Sequence, residues 1–176
     1  GMDSVDRIAV AHSDRIVMWG PNQTVSNSHL APRIEARVRD GAKVVVIDPR
    51  RTPAADRATR FLPVRPGTDV VLAMAAAAEL ERRGAVDRTF VDQHADGVDE
   101  YLTACAEWTI ERAAEVCGLE VADVSGFVDD LVAAEAPLLR VGWGMERNRN
   151  GGSAHRATMS LWVLAGAFGR QGAGVV

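Results

Sequence analysis

The chain has 176 residues, 47% hydrophobic and 25% charged, an ordinary balance for a globular protein long enough to bury a core without metal or disulfide support. Its 20 Lys and Arg against 24 Asp and Glu give a formal charge of −4, which leaves no basic footprint for nucleic acid. Four scattered histidines, the two cysteines Cys105 and Cys117, and no apolar run of membrane-spanning length argue against a metal-ligand cluster, a disulfide framework and a transmembrane helix.

Gly1 ahead of Met2 reads as a remnant of tag removal, and Gly1 to Asp14 forms a lead-in of weak periodicity without signal-peptide character. Arg15 to Trp19 (RIVMW) is a short apolar run stopped by Gly20-Pro21-Asn22, a strand followed by a turn. Leu30, Ile34, Val38 and Ala42 recur along one helical face, which predicts a helix from about His29 to Asp40, terminated by Gly41. Lys43 to Ile47 (KVVVI) is a β-branched run of the kind that forms a strand covered on both faces. Phe61 to Val64 reads as a further short strand. Pro66-Gly67-Thr68-Asp69 is a turn in which Thr68 or Asp69 caps a helix from Val70 to Arg83. Further helices are expected at Arg88 to His94, Val98 to Cys105, Ile110 to Val116 with Thr109 as cap, and Val121 to Ala134. Pro137 to Val141 is a late strand, Gly142 to Gly152 a loop, and Ser153 opens a last helix reaching Ala165. The glycine-rich end from Gly166 to Val176 carries no finishing element.

Strands separated by helices imply an α/β fold: a three-layer Rossmann-like domain, its sheet mainly parallel, with helices on both faces. Arg15 to Ile47 fits one βαβ unit with a right-handed crossover, and the expected organisation is a lead-in of 1–14 before a single domain of 15–176. Ligands of such sheets gather beyond the carboxyl ends of the strands, so the residues just past those ends are the candidates.

After the first strand, Gly20 lets backbone approach a ligand and Asn22 both donates and accepts, while the same residues also make a plain turn. No GxGxxG fingerprint accompanies them. After the second, the two oxygens of Asp48 suit a vicinal diol, and Arg50 beyond Pro49 suits a phosphate; an Asp-Pro turn with solvated arginines is the alternative. Asp69 either favours the positive end of the following helix or accepts both donors on the amidine edge of guanine, a pair that adenine lacks. Within Gly142 to Gly152, Trp143 offers a stacking face and Arg147 a fork of donors, against the alternative of a glycine-rich surface loop. The absence of GxSxG and HExxH patterns leaves no catalytic residue and no metal ligand to assign.

Taken in order, WGPN (Trp19 to Asn22), SHLAPR (Ser28 to Arg33), VVVIDPRRT (Val44 to Thr52), LPVRPGTD (Leu62 to Asp69) and GWGMERNRNG (Gly142 to Gly151) resemble the molybdopterin oxidoreductase family of the dimethyl sulfoxide reductase, formate dehydrogenase and nitrate reductase type. The resemblance covers nearly everything after Asp14. It implies an internal domain that holds the guanosine and phosphates of one molybdopterin guanine dinucleotide, in an enzyme that carries the cofactor in bis form. Trp19, Gly20 and Asn22 would then line the phosphate and nucleoside path. Asp48, Pro49 and Arg50 would reach the guanosine, Gly67, Thr68 and Asp69 the guanine, and Trp143 and Arg147 would close over the cofactor. The family's iron–sulfur segment, metal ligand and C-terminal cofactor domain find no match here, since Ser13 lies too near Trp19 and both cysteines lie in the wrong region. The expectation is a cytoplasmic fragment without turnover of its own, whose partners are the remaining domains and whose exposed interfaces leave room for self-association. An NAD-binding domain or the middle domain of a thiamine-diphosphate enzyme is the alternative, because such folds share the strand-end site.

Overall fold

The computed structural model describes residues 9–22, 27 and 29–176, so the lead-in before residue 9 and the Ser28 of the SHLAPR motif lie outside the described residues. Five strands are present among the described residues: β1 (Arg15–Trp19), β2 (Lys43–Ile47), β3 (Arg60–Leu62), β4 (Pro137–Val141) and β5 (Gly174–Val175). They form one sheet in the order β3-β2-β1-β4-β5, and every pairing is parallel. The chain moves outward from β1 through β2 to β3, then returns to the other side of β1 for β4 and β5. The strand order therefore reverses between β1 and β4, the position at which open α/β sheets carry their ligands.

The described residues form seven α-helices: α1 (Ala31–Arg39), α2 (Asp69–Arg82), α3 (Arg88–His94), α4 (Val98–Cys105), α5 (Ile110–Cys117), α6 (Val121–Val132) and α7 (Gly151–Leu164). The α/β class with a parallel sheet is as the sequence predicts. Contacts divide the chain into two compact units. One, the sheet unit, takes the stretch to Pro63, Ala133–Gly144 and Ala167–Val176; the other, the helical unit, takes Val64–Val132 and Met145–Gly166.

In the sheet unit, residues at alternate strand positions share a face. Ile16, Met18, Val44, Val46 and Leu138 pack with Leu30 and Ile34 of the α1 segment and with Val10 and Ala55. The intervening residues Val17, Trp19, Val45, Ile47 and Leu139 are also fully buried, as an apolar strand without alternation requires. Helix α1 ends in two backbone bonds of the Schellman type, Gly41 N–H to the Val38 carbonyl and Ala42 N–H to that of Arg37. Asp14 ties the strand starts together: one carboxylate oxygen accepts from the Ala136 N–H at 2.7 Å and the other from the Glu135 N–H at 3.0 Å.

In the helical unit, α2 is the hub and packs against α4, α5, α6 and α7. Its buried face is rich in alanine (Ala73 and Ala75 to Ala78), which lets neighbouring helices come close. Helix α3 is capped by Asp87, which accepts from the Phe90 N–H, and α5, as the sequence suggests, by Thr109, which accepts from the Arg112 N–H.

Four local expectations need correction. The strand expected at Phe61 to Val64 starts one residue earlier and ends at Leu62, because the pairing runs from Val45↔Arg60 to Ile47↔Leu62. The N-cap of α2 is Thr68, but its hydroxyl donates to the Arg65 carbonyl at 2.7 Å and does not cap, while Asp69 is the first helical residue. Ser153 caps nothing, since α7 begins two residues earlier, after Asn150. The chain end does carry an element: β5 pairs with β4 through Leu138↔Gly174 and Leu139↔Val175. Buried Ser13 helps to hold that segment, its hydroxyl donating to the Gly172 carbonyl at 2.5 Å.

Candidate functional site

In the sheet unit, register decides which loops emerge side by side. Trp19 is opposite Ile47 on one side and Val141 on the other. The residues that follow, Gly20, Asp48 and Gly142, therefore leave the sheet level with one another. The ladder continues one step past the strands, with Gly20 N–H donating to the Ile47 carbonyl and Gly142 N–H to the Trp19 carbonyl, both at 2.8 Å. Asp48 N–H donates across to the Leu62 carbonyl.

Asp48 is buried, and one of its carboxylate oxygens accepts from the Arg50 N–H at 2.8 Å. This Asx turn aligns the loop. Pro49 and Arg50 are exposed, and among the described residues the Arg50 guanidinium has no ion-pair partner. Its neighbour Arg51 is engaged, bonded to Asp56 at 2.7 Å and lying over the Phe61 ring at 5.5 Å. Thr52 is buried, and its hydroxyl has no hydrogen-bond partner among the described residues.

The two tryptophans of the strand ends do opposite things. Trp19 is fully buried, so its indole fills the sheet core beneath the strand end. Trp143 is 74% exposed, the most exposed of the large hydrophobic side chains. Its setting explains this. A Cβ at Gly142 would overlap the Gly20 carbonyl and the Pro21 nitrogen, and one at Gly144 would come within 2.9 Å of the same carbonyl. The two glycines press the turn against the β1 loop, and the residue between them projects outward. Those two glycines are therefore required by the packing of the two strand-end loops against each other.

In the helical unit, the turn before α2 meets the segment before α7. Asn150 Nδ2 donates to the Gly67 carbonyl at 2.8 Å, and the space where a Gly67 side chain would begin is bounded by the Asn148 and Asn150 side chains at 3.7 to 3.8 Å. Gly67 has φ of +84°, a conformation that a side chain would strain. Asp69 is buried at the start of α2. The end of α5 supports the turn from below: Cys117 Sγ donates to the Thr68 carbonyl at 3.6 Å, and Arg65 N–H donates to the Cys117 carbonyl. The Arg65 guanidinium donates to the Glu115 and Val116 carbonyls, closing the helix end. Burial pushes the Cys117 thiol above its ordinary value, and the nearby Asp69 charge adds to the shift, while the bond to Thr68 opposes it. Arg147 sits in a 3-10 turn, Met145–Arg147, exposed and without an ion-pair partner among the described residues.

The candidate residues thus fall into two groups. Trp19, Gly20, Asn22, Asp48, Pro49, Arg50 and Trp143 gather at neighbouring strand ends of the sheet unit, and Gly67, Thr68, Asp69 and Arg147 belong to the helical unit. Asn148, Asn150 and Cys117 also belong to the second group; the amide-rich run before Gly151 hinted at the two asparagines, and nothing local marked Cys117. The formal charge of −4 conceals a partition. Eight basic and sixteen acidic residues fall in the helical unit, leaving twelve basic and eight acidic to the sheet unit. A positive sheet unit suits an anionic ligand at its strand ends. Among the described residues, no group of three His, Cys, Asp or Glu is arranged to hold a metal ion.

Comparison with known proteins agrees with the topology. A family model described as molybdopterin oxidoreductase matches residues 4–176. A nitrate reductase of Klebsiella oxytoca is 29% identical over 167 residues, 94% of this chain and 19% of that protein. A probable dimethyl sulfoxide reductase chain of Escherichia coli is 32% identical over 187 residues, 93% of this chain and 23% of the relative. Acetylene hydratase from Pelobacter acetylenicus shares the fold, with a TM-score of 0.83 at 23% identity over 95% of this chain and 25% of that one. The chain spans about a fifth to a quarter of the length of the proteins it matches.

Proposed function

Because the chain belongs to the molybdopterin oxidoreductase family, we propose that it holds the guanosine and phosphate portion of a molybdopterin guanine dinucleotide as one domain of a longer molybdenum-dependent oxidoreductase. The observation that carries this reading is the level emergence of Gly20, buried Asp48 and Gly142 at the point where the strand order reverses.

The donor set suits the group. In the sheet unit, Asp48 supplies acceptors for ribose hydroxyls, the free Arg50 guanidinium suits a phosphate, and the outward Trp143 face suits a planar ring. In the helical unit, Asp69 supplies a carboxylate for the guanine amidine edge, and Arg147 is a second free cation. When bound, the cofactor supplies the redox chemistry; this chain binds, orients and shields it. The iron–sulfur cluster, the metal ligand and the second dinucleotide then belong to other domains, and the chain by itself has no turnover.

Titration of the isotope-labelled chain with GDP and ADP, followed by NMR, tests this. The expected outcome is a guanine-preferring response at Asp48 and Asp69, with Asp69→Asn erasing the preference and Asp48→Asn weakening both nucleotides. Affinity will be low, because the pterin end, where much of the contact lies, is missing from these probes. Equal or absent responses to both nucleotides at millimolar concentration would overturn the proposal.

A further inference from the structure

Asn150 occupies the N-cap position of the fourteen-residue helix α7, where asparagine ordinarily accepts a bond from the first turn, yet it makes no such cap. Its amide instead donates to the Gly67 carbonyl, 83 residues away in the chain. Thr68, the N-cap residue of α2, likewise forgoes capping and bonds back to the Arg65 carbonyl. Two helices thus start without side-chain caps where the segment before one touches the turn before the other.

The carbonyls of Arg65, Gly67 and Thr68 are all engaged. That of Arg65 accepts from the Thr68 N–H and hydroxyl, and that of Thr68 from the Val71 and Leu72 N–H groups and from Cys117. Gly67 is the exception in kind. Lacking a side chain, it is the residue at which the following peptide can rotate at little steric cost, and its carbonyl accepts the Asn150 amide at 2.8 Å. Only Thr68 separates that carbonyl from Asp69, and the same peptide is held at its other end by the Thr68 N–H bond to the Arg65 carbonyl, so losing the Asn150 bond would leave the segment before the carboxylate held from one side alone.

We propose that Asn150 is a positioning residue for base recognition: by holding the Gly67 carbonyl it fixes the peptide that leads into Asp69, and so sets the discrimination between guanine and adenine. The inference rests on the reading of Asp69 as the guanine acceptor. Asn150 itself has no need to touch the base.

The test uses the full 176-residue chain as wild type and as Asn150→Ala, Asn150→Asp and Asn150→Gln. GDP, IDP and ADP affinities are measured by calorimetry or NMR, and amide hydrogen exchange at Thr68 and Asp69 is measured without nucleotide. IDP keeps N1–H but lacks the exocyclic amine. Loss of one positioning hydrogen bond is expected to weaken GDP roughly three- to tenfold, with ADP little changed, so that the guanine preference collapses. The Asp variant, similar in shape but without the donor, should behave like Ala; the Gln variant, which keeps a donor, should recover part of the preference. Exchange at Thr68 and Asp69 should quicken in the Ala and Asp variants. A wild-type chain without guanine preference would overturn both the Asp69 reading and this one. A wild-type preference that survives unchanged in Asn150→Ala and Asn150→Asp would overturn the role of Asn150 alone.

Discussion

Replacing Gly142 by alanine places one methyl group where the protein has none to spare. The new Cβ would overlap the Gly20 carbonyl and the Pro21 nitrogen, which are backbone atoms and cannot rotate aside like a side chain. Nor can that backbone retreat freely, since Gly20 N–H is bonded to the Ile47 carbonyl and Gly142 N–H to the Trp19 carbonyl, both at 2.8 Å. Overpacking typically costs about 1–3 kcal/mol, and a rigid obstacle puts this substitution at about 3 kcal/mol. For a chain of this size each kcal/mol moves the melting temperature by about 2–4 °C, so a fall of roughly 6–12 °C is expected. Gly152→Ala is the matched control. Nothing lies within 4 Å of its would-be Cβ, and it sits in α7. There alanine removes unfolded-state freedom and stabilises by about 0.5–1 kcal/mol. Thermal melts by circular dichroism read both. If Gly142→Ala melted no lower than wild type, the close approach of the two strand-end loops would be wrong. The outward placement of Trp143, which depends on it, would fall as well.

Asp14→Ala leaves the Glu135 and Ala136 N–H groups without their charged acceptor. A loss of about 2–3 kcal/mol is expected in urea denaturation, with Asp14→Asn recovering part of it through its one carbonyl oxygen. Burial raises the thiols of Cys105 and Cys117 above their ordinary value. Little thiolate therefore forms at pH 8, and a thiol reagent should modify both cysteines slowly until the chain is denatured; rapid labelling of the native chain would contradict their burial. Because the folded thiols are raised, their contribution to stability is fully present below the ordinary thiol value and is lost as pH rises through the raised one, so the urea midpoint should fall on alkalinisation. Replacing both cysteines by alanine should flatten that alkaline slope in proportion to their share of it.

Strands β1, β2 and β4 were legible to the residue because RIVMW, KVVVI and PLLRV are apolar runs closed by turn residues, and that pattern is local. Helices α3 and α4 were equally plain. β5 was not, since Gly174–Val175 is only two residues long and one of them is glycine, and the segment becomes a strand by pairing with β4. The caps at Thr68 and Ser153 were misread for a related reason. A hydroxyl at a helix start has several acceptors and donors within reach, and for Thr68 the Arg65 carbonyl wins.

The candidate site divides along the same line. Residue type and order along the chain were enough to mark Gly20, Asp48, Gly67, Asp69 and the GWG turn, because glycine at a close approach and a carboxylate past a strand are chemical statements that need no neighbours. Three things waited for the fold. Register put Gly20, Asp48 and Gly142 level, which no single strand contains. Burial separated Trp19, sealed in the core, from Trp143, 74% exposed, although both flank a glycine at a strand end. The Asn150 bond to Gly67 spans 83 residues, a distance over which local pattern carries no information and only packing can choose the partner.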